Sequence, residues 1–416
     1  MRSASPGTSL DVMVIGETNA EAPLAGLFGP AQKGVDRVQS APDTLTVRPI
    51  DAALHATFAG SHSASFLQTP NWADVKPDWR SESLGWFEGS ELVGTALVLY
   101  RPVPKTNRSL AYLPEGPTLP WDQVNKAPNR WLDPMIPHLR AQHAFAVRMG
   151  PEPEVRIWKA ATAKQGMTDP EILRFSDLPP DEVVPEGEQL TANLTRLGWK
   201  PVDREEGFGG GQPRFGVWIR LANRTPAELL ADCNQQWRRN VAKSVKAGVV
   251  VREGSFDDLP TFHRLYSETG ARDGFRPRPA SYFTRMWRSL ERGPEPTLRL
   301  YIGEYGPEKI PLCAAMVVQV GQVCWYSYGA STSEHREAQA STAVQWHAIL
   351  AAQARGAFSY NLRGVADTLD EKNPLAGLLR FKLGTGGSVV EAAGEWELPL
   401  SPLWNTAFHL YMKLRS

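Results

Sequence analysis

Cysteine is scarce in this chain of 416 residues. The three present, Cys233, Cys313 and Cys324, are an odd number set in apolar stretches, with no CxxC and no His/Cys ligand spacing. That pattern excludes a disulfide framework and a zinc site of the usual kind, and it reads as a reduced, cytosolic protein without metal. No apolar run approaches the roughly 18 residues of a membrane span, and the N-terminus lacks the order of a secretory signal. A lipid-linked substrate would be met at the membrane surface. Charge of one sign is missing too: 45 basic residues balance 45 acidic ones, so attraction to a polyanion has to come from local patches. The eight histidines are dispersed, and no Ser/His/Asp spacing stands out. What is present is globular, 42% hydrophobic and 22% charged, and long enough for two ordinary domains. Residues 1–43 mix Gly, Pro, Ser and Ala without a sustained period and read as a flexible leader.

One patch is evident. In TPAELLADCNQQWRRNVAKSVKAGVVV, from Thr225 to Val251, Thr225 caps a helix, Pro226 takes its first position, Glu228 completes a capping box and Gly248 ends it before a strand from Val249 to Val251. Leu230, Cys233, Trp237, Val241 and Val245 recur every three or four residues as the buried stripe. Arg238, Arg239, Lys243 and Lys246 lie on or near the opposite face. The cations are either an ordinary solvated face or a surface for a polyanion.

The order of elements repeats. Two helices ending near Trp79 precede strands Leu84 to Glu88, Leu92 to Tyr100 and, after a basic loop, Ser109 to Leu113. Helices Leu259 to Thr269 and Ala280 to Leu290 precede strands Leu298 to Glu304, Pro311 to Val318 and Val323 to Tyr328. Each half continues with a strand (Ala144 to Met149; Phe358 to Leu362), a helical segment and another strand (Phe215 to Leu221; Ser388 to Glu395). A duplication accounts for this, and strands with interspersed helices imply an α/β layered, mixed sheet in each half. The pattern resembles the GNAT-type acyltransferase superfamily, present twice. The expected division is residues 44–212 with 394–416 as a first domain and 213–393 as a second, with a final helix from Pro399 to Ser416 returning to the first.

Cationic and aromatic residues stand where elements end. Lys76 follows a helix from Gln68 to Val75, Arg278 and Tyr282 share the first turn of a helix, Tyr328 closes a strand, and Lys382 precedes Gly384, Gly386 and Gly387, a run that permits close approach of a ligand to the backbone. An Arg and a Tyr four apart on a helix project together and suit a phosphate with a ring against sugar or base. Singly, each is more often surface or packing than a site residue.

The segments Phe66-Leu-Gln-Thr-Pro-Asn-Trp72-Ala-Asp-Val-Lys76, Tyr112-Leu-Pro-Glu-Gly116-Pro117, Lys246-Ala-Gly248-Val, Arg278-Pro-x-x-Tyr282-Phe283, Trp325-Tyr-Ser-Tyr328-Gly-Ala, Tyr360-Asn-Leu-Arg-Gly364 and Phe381-Lys382 together resemble the Fem family of aminoacyl-tRNA-dependent transferases. These attach amino acids to the stem peptide of peptidoglycan precursors. The resemblance covers nearly everything after about Leu45. It implies two GNAT-like domains, the second inserted into the first, with the precursor in a cleft between them. Lys76 and Arg278 would contact the precursor's diphosphate, and Tyr282 and Tyr328 its sugar-nucleotide or lipid-linked region. Phe381 and Lys382 would meet the charged end of the aminoacyl-tRNA, Lys382 steadying the oxyanion or terminal phosphate. Arg238, Arg239, Lys243 and Lys246 become candidates for the tRNA backbone. The partners implied are aminoacyl-tRNA as co-substrate, with no other cofactor, and a nucleotide- or lipid-linked precursor; no DNA is implied.

The chain also departs from the family. Some members carry an acidic residue where Gly150 stands in Arg148-Met149-Gly150-Pro151, so a carboxylate base does not carry over from that position. A tyrosine of the same strand is Phe145 here, and the coiled-coil arm of the staphylococcal branch is absent, which likens the chain to armless actinobacterial members and mildly favours glycine over alanine or serine. Three rivals stand beside this reading. Arg204-Glu-Glu-Gly207-Phe-Gly209 matches the pyrophosphate string of acetyl-CoA-dependent acetyltransferases, though it runs into a strand rather than a helix. The second rival is a non-catalytic tRNA- or precursor-binding protein, and the third is the same transfer onto an antibiotic-like amine.

Neutralising Arg239 and Lys243 together is expected to weaken tRNA binding and flatten its salt dependence, because phosphate contacts release counterions. Filter binding across a salt series measures both, and unchanged binding returns the helix to a solvated face.

Overall fold

The computed structural model describes residues 45–202, 211–292 and 297–413. The expected leader 1–43 and the Arg204 to Gly209 string lie outside the described residues. Two mixed sheets with flanking helices carry the fold, as the GNAT-type likeness implies. The seven-stranded sheet runs in the order Leu45–Pro49, Arg80–Glu88, Glu91–Pro102, Ser109–Leu113, Ala144–Met149, Trp396–Pro399 and Lys200–Pro201. The nine-stranded sheet runs Val250–Glu253, Leu298–Tyr305, Ile310–Val320, Val323–Ser331, Ser359–Val365, Phe215–Arg220, Ser388–Ala392, Glu154–Trp158 and Glu182–Val183. Each contains one parallel pair, formed by its fourth and fifth strands in these orders. Residues 154–158 and 182–183 thus belong to the second sheet. The single strand expected from Ser388 to Glu395 is divided: Ser388–Ala392 lies in one sheet and Trp396–Pro399 in the other, with Gly394 at φ 78° between them.

Alternation along the strands sorts side chains to two faces. On Val323–Ser331, Cys324 and Tyr326 join the core under helix Ala340–Ala354, while Trp325 and Tyr328 join the core under helices Leu259–Asp273 and Ala280–Leu290. Trp325 and Tyr328 are three apart and would face opposite ways in a regular strand. The register slips between Met316 and Val317, whose partners are Tyr328 and Tyr326, so Ser327 is the extra residue of a bulge that restores both to one face.

The second of these cores is shared by the two halves, because Phe66, Leu67, Trp72 and Val75 are buried in it. Their segment is not the helix expected from Gln68 to Val75. Pro70 and the Thr69 break leave two short 3₁₀ turns, Phe66–Gln68 and Pro70–Val75. Gln68, fully buried, holds the segment. Its amide donates to the carbonyls of Pro114 at 2.8 Å and Leu97 at 3.4 Å and accepts from Leu97 N–H at 2.9 Å. A side chain at Gly116 would collide with it. On the far side, Asn71 donates to the Arg292 carbonyl at 3.2 Å, and Arg292 pairs with Asp74. The final helix, Pro402–Lys413, packs on Ala144–Met149 through Phe408 against Phe145, whose centroids are 5.1 Å apart.

Replacing Gln68 by Ala strands three backbone groups and opens a void, with an expected cost of about 2–4 kcal/mol. Denaturant unfolding monitored by tryptophan fluorescence measures it; a loss within experimental error would show that Gln68 does not hold the segment.

Candidate active site

The junction of the two sheets collects the residues singled out for the precursor. Lys76 closes the second 3₁₀ turn, and its Nζ stands 5.8 Å from the centroid of the Tyr282 ring. The Arg278 guanidinium lies 4.7 Å from the same centroid, and the Tyr328 hydroxyl donates to that of Tyr282 at 3.0 Å. Arg278 is not in the first helical turn as expected: the helix begins at Ala280 with Pro279 as its cap. A residue before proline is biased away from helical backbone, and the guanidinium reaches the ring from outside the helix. Arg101 joins the cluster, although the sequence offered only a strand leading into a basic loop. Burial, then Arg278 and Arg101, draw the Lys76 ammonium down to about 8. Both charges acting on Lys76, among the described residues, are therefore positive, an arrangement an anion completes.

A second group surrounds a cavity of about 60 Å³ beside this cluster, lined among others by Glu115, Glu152, Gln212, Trp325, Arg363 and Glu395. Strands Val323–Ser331 and Ser359–Val365 pair in parallel only from Val323 to Trp325 and Ser359 to Asn361, and the cavity opens where that pairing stops. A register shift between Asn361 and Gly364 and a φ of 64° at Arg363 turn the chain there, held by the Asn361 side chain accepting from Arg363 N–H at 2.6 Å. Arg363 then bridges the halves, donating to Glu115 Oε1 at 2.7 Å and Gln212 Oε1 at 2.8 Å. The Ser65 hydroxyl donates to the other Glu115 oxygen at 2.5 Å. Glu395 accepts from the Tyr112 hydroxyl at 2.6 Å and from Gln212 N–H at 3.0 Å. Burial and the adjacent Glu115 carboxylate push the Glu152 carboxyl up to about 8, against the pull of a Ser65 N–H. Gly150 does line this cavity, but its carboxylates come from Glu115, Glu152 and Glu395. The signals were a glutamate between two prolines immediately after a strand and the glutamate within Tyr112-Leu-Pro-Glu-Gly116. Phe145, by contrast, is fully buried core.

Lys382 stands behind the same bulge. Its Nζ donates to the carbonyl of Gly364 at 2.7 Å and of Arg363 at 3.3 Å, both cavity residues. Burial, with Arg363 nearby, brings its ammonium down to about 7. The glycines after it do not leave room for a ligand. A Cβ at Gly384 would meet Trp237, one at Gly386 the Asp232 carbonyl and one at Gly387 the Trp218 carbonyl, so the close approach they allow is that of the chain to itself.

The basic segment packs on this glycine turn and differs from the single expected helix. Cys233 is extended, and Asn234 starts a second helix by accepting from Trp237 N–H at 2.8 Å, giving Pro226–Asp232 and Gln235–Lys246. The Thr225–Glu228 capping box is present. The buried positions are Leu229, Cys233, Trp237 and Ser244 rather than Leu230 and Val245; Val245 is 74% exposed. Arg238 is engaged in the junction, donating to the carbonyls of Ala231 and Cys233, which leaves Arg239, Lys243 and Lys246 on the exposed face. Trp237 anchors the helix, its indole N–H donating to the Phe381 carbonyl at 3.0 Å and its ring 5.6 Å from that of Phe381. Trp237 thereby links the helix of exposed cations to Phe381-Lys382.

Known proteins share the sequence pattern and the fold. The FemAB family profile matches residues 50–293 and 296–413. A lipid II:glycine glycyltransferase of Staphylococcus saprophyticus is 24% identical over 424 residues, covering 86% of this chain and 94% of its own length. One of Staphylococcus aureus is 24% identical over 419 residues, covering 84% and 92%. A crystal structure of FemX superposes with a TM-score of 0.73 at 22% identity, over 86% of this chain and 99% of that one. Among the described residues, no helix is long and apolar enough to cross a membrane.

The ammonium form of Lys76 is the one that suits an anion, so affinity for a nucleotide diphosphate is expected to fall as pH rises through about 8, the midpoint moving upward once the anion is bound. Lys76→Met should weaken that affinity about tenfold or more, at about 1.5–3 kcal/mol for one charged contact, and remove the alkaline decline. Calorimetry between pH 6 and 10 distinguishes these outcomes, and an unaltered pH profile in the variant would exclude Lys76 from the anion site.

Proposed function

The chain belongs to the FemAB family, and from that premise we propose that it transfers an amino acid from charged tRNA to an amine on the stem peptide of a peptidoglycan precursor, forming an interpeptide bridge. The observation that carries this reading is the convergence of Lys76, Arg101 and Arg278 with Tyr282 and Tyr328 beside the cavity. A diphosphate supplies the charge those cations lack, the tyrosines offer faces and hydroxyls to the adjoining sugar, and the peptide reaches the cavity. The relatives named above are glycyltransferases acting on lipid II, which supports a precursor as acceptor and glycine as the amino acid. A lipid-linked precursor would be met from the cytoplasmic membrane surface.

An aminoacyl ester is already activated, so the protein has chiefly to position it, take a proton from the attacking amine and stabilise the oxyanion. Arg239, Lys243 and Lys246 suit the tRNA backbone, and Trp237 carries that contact to Phe381 and Lys382. Lys382 is the cation we assign to the oxyanion or the terminal phosphate. Its Nζ holds the Arg363 and Gly364 carbonyls, so it acts by exchanging those partners for the donor or by holding the cavity wall that faces it.

Transfer of radiolabelled glycine, alanine or serine from charged tRNA to nucleotide- and lipid-linked precursors, with acetyl-CoA as a parallel donor, tests the reading. Label on the stem peptide that ribonuclease pretreatment abolishes is the expected result, and label from acetyl-CoA alone would replace it with an acetyltransferase. Lys382→Met is expected to lower transfer at least about a hundredfold, in the range of lost oxyanion stabilisation, while precursor affinity is retained; near-normal turnover would remove Lys382 from the chemistry.

A further inference from the structure

The carboxylates of the junction cavity are unequally served. Glu115 has the Arg363 guanidinium at 2.7 Å and the Ser65 hydroxyl at 2.5 Å. Glu391, just outside, is paired with Arg156 and Arg214. Glu152 receives a Ser65 N–H and otherwise faces the Glu115 carboxylate; the two guanidiniums that line the same cavity, Arg363 and Arg214, are engaged by Glu115 and Glu391. A carboxylate so placed is costly as an anion until a positive charge arrives.

We propose that the cavity receives the acceptor's amine as an ammonium ion and that Glu152 is the catalytic base that takes its proton. This rests on the transfer reading above and deepens it. An alkylammonium end supplies the missing cation, whereas a neutral or anionic occupant would leave Glu152 uncompensated. The cavity's 60 Å³ has room for a few waters or the end of an aminoalkyl chain. Trp218 and Trp325 line it as well and give the methylene groups an apolar wall, and an ammonium can also lie against an indole face. The location follows too: Trp325 shares a strand face with Tyr328 of the anion cluster, and the Arg363–Gly364 wall is the one Lys382 holds from behind. Amine, diphosphate and donor groups therefore meet at one junction.

The step balances. The ammonium gives one proton to Glu152, and the freed lone pair forms the C–N bond at the aminoacyl carbonyl. Collapse of the tetrahedral intermediate breaks the ester C–O bond, a second proton of the attacking nitrogen passes to the departing ribose oxygen, and Glu152 returns its proton to water.

The test compares the full chain with Glu152→Gln. The amide removes a like charge beside Glu115, so the variant is expected to fold. The raised carboxyl destabilises the wild type as pH rises from the ordinary carboxylate range through about 8, and Gln lacks that loss. The charged groups sharing the cavity, Glu115, Glu395, Arg214 and Arg363, and Lys382 behind it are unchanged. At pH 7 the variant is expected to transfer about a hundredfold more slowly with similar KM, the usual scale of base catalysis. The gap should narrow toward the amine's own titration near about 10.4, where the amine deprotonates unaided. No gap, or one independent of pH, overturns the assignment. A second readout needs no transfer: calorimetric affinity for a nucleotide-linked precursor with a free side-chain amine against the same precursor N-acetylated. Wild type is expected to favour the free amine about tenfold, and Glu152→Gln to erase that preference; equal wild-type affinities overturn the ammonium site. A wild type that keeps the preference yet accepts nothing from charged tRNA refutes the donor reading and supports the ammonium site.

Discussion

The arrangement depends on the burial of one short irregular segment in a core that is not its own. Phe66 to Val75 leaves the first half of the chain and contributes Phe66, Leu67, Trp72 and Val75 to the core under helices Leu259–Asp273 and Ala280–Leu290. Apolar burial supplies the driving force, but it is indifferent to direction; Gln68 supplies the direction by satisfying backbone groups of Leu97 and Pro114 at once. The consequences radiate from there. Lys76 ends the segment beside Tyr282, Ser65 begins it beside Glu115, and Phe66 lies under the Arg363 guanidinium, 5.7 Å from its ring centroid. Anion cluster and cavity are fixed relative to each other because one buried segment touches both.

Two interruptions of regular pairing then make a site out of a sheet. A continuous parallel pair between Val323–Ser331 and Ser359–Val365 would have left no cavity. Pairing stops at Trp325 and Asn361, Ser327 bulges so that Tyr328 returns to the face of Trp325, and the Arg363 turn sends a guanidinium across to Glu115. Bulges re-aim side chains without dismantling the surrounding ladder, and here two of them lie on neighbouring strands at the mouth of one gap. The equivalent parallel pair of the other sheet stays in contact from Ser109 to Leu113.

What could be read from the residues alone follows the range of the forces involved. Helix Ala280–Leu290 and strands Ser109–Leu113 and Ala144–Met149 have the limits expected of them, because caps, prolines and alternation are local. The Thr225–Glu228 capping box is likewise local and present. The break at Cys233 was not legible: Asn234 caps a new helix there, and Trp237 seats against Gly384, 147 residues along the chain. Bulges at Ser327 and Arg363 leave no periodic trace, so the convergence of Trp325 with Tyr328 and of Arg363 with Glu115 could not be derived. Glu152 stands two residues beyond Gly150, and only the folded chain brings its carboxyl to the cavity.

Three ionisable groups of the junction share a bias that suits a transferase working in water. Lys382 is drawn to about 7, Lys76 to about 8 and the Glu152 carboxyl up to about 8, and burial is the largest cause in each case. Every shift favours the neutral form. Each substrate of the proposed reaction carries the opposite charge: diphosphate restores the Lys76 ammonium, a tRNA phosphate or developing oxyanion the Lys382 ammonium, and the acceptor's ammonium the Glu152 carboxylate. The last of these bears on fidelity. An aminoacyl ester is open to hydrolysis as well as aminolysis, and a standing carboxylate would activate water for the wasteful reaction. A base that becomes an anion only when an ammonium enters its cavity is least able to activate water when no acceptor is present. A cavity whose guanidiniums, Arg363 and Arg214, are already engaged by Glu115 and Glu391 leaves Glu152 to its substrate.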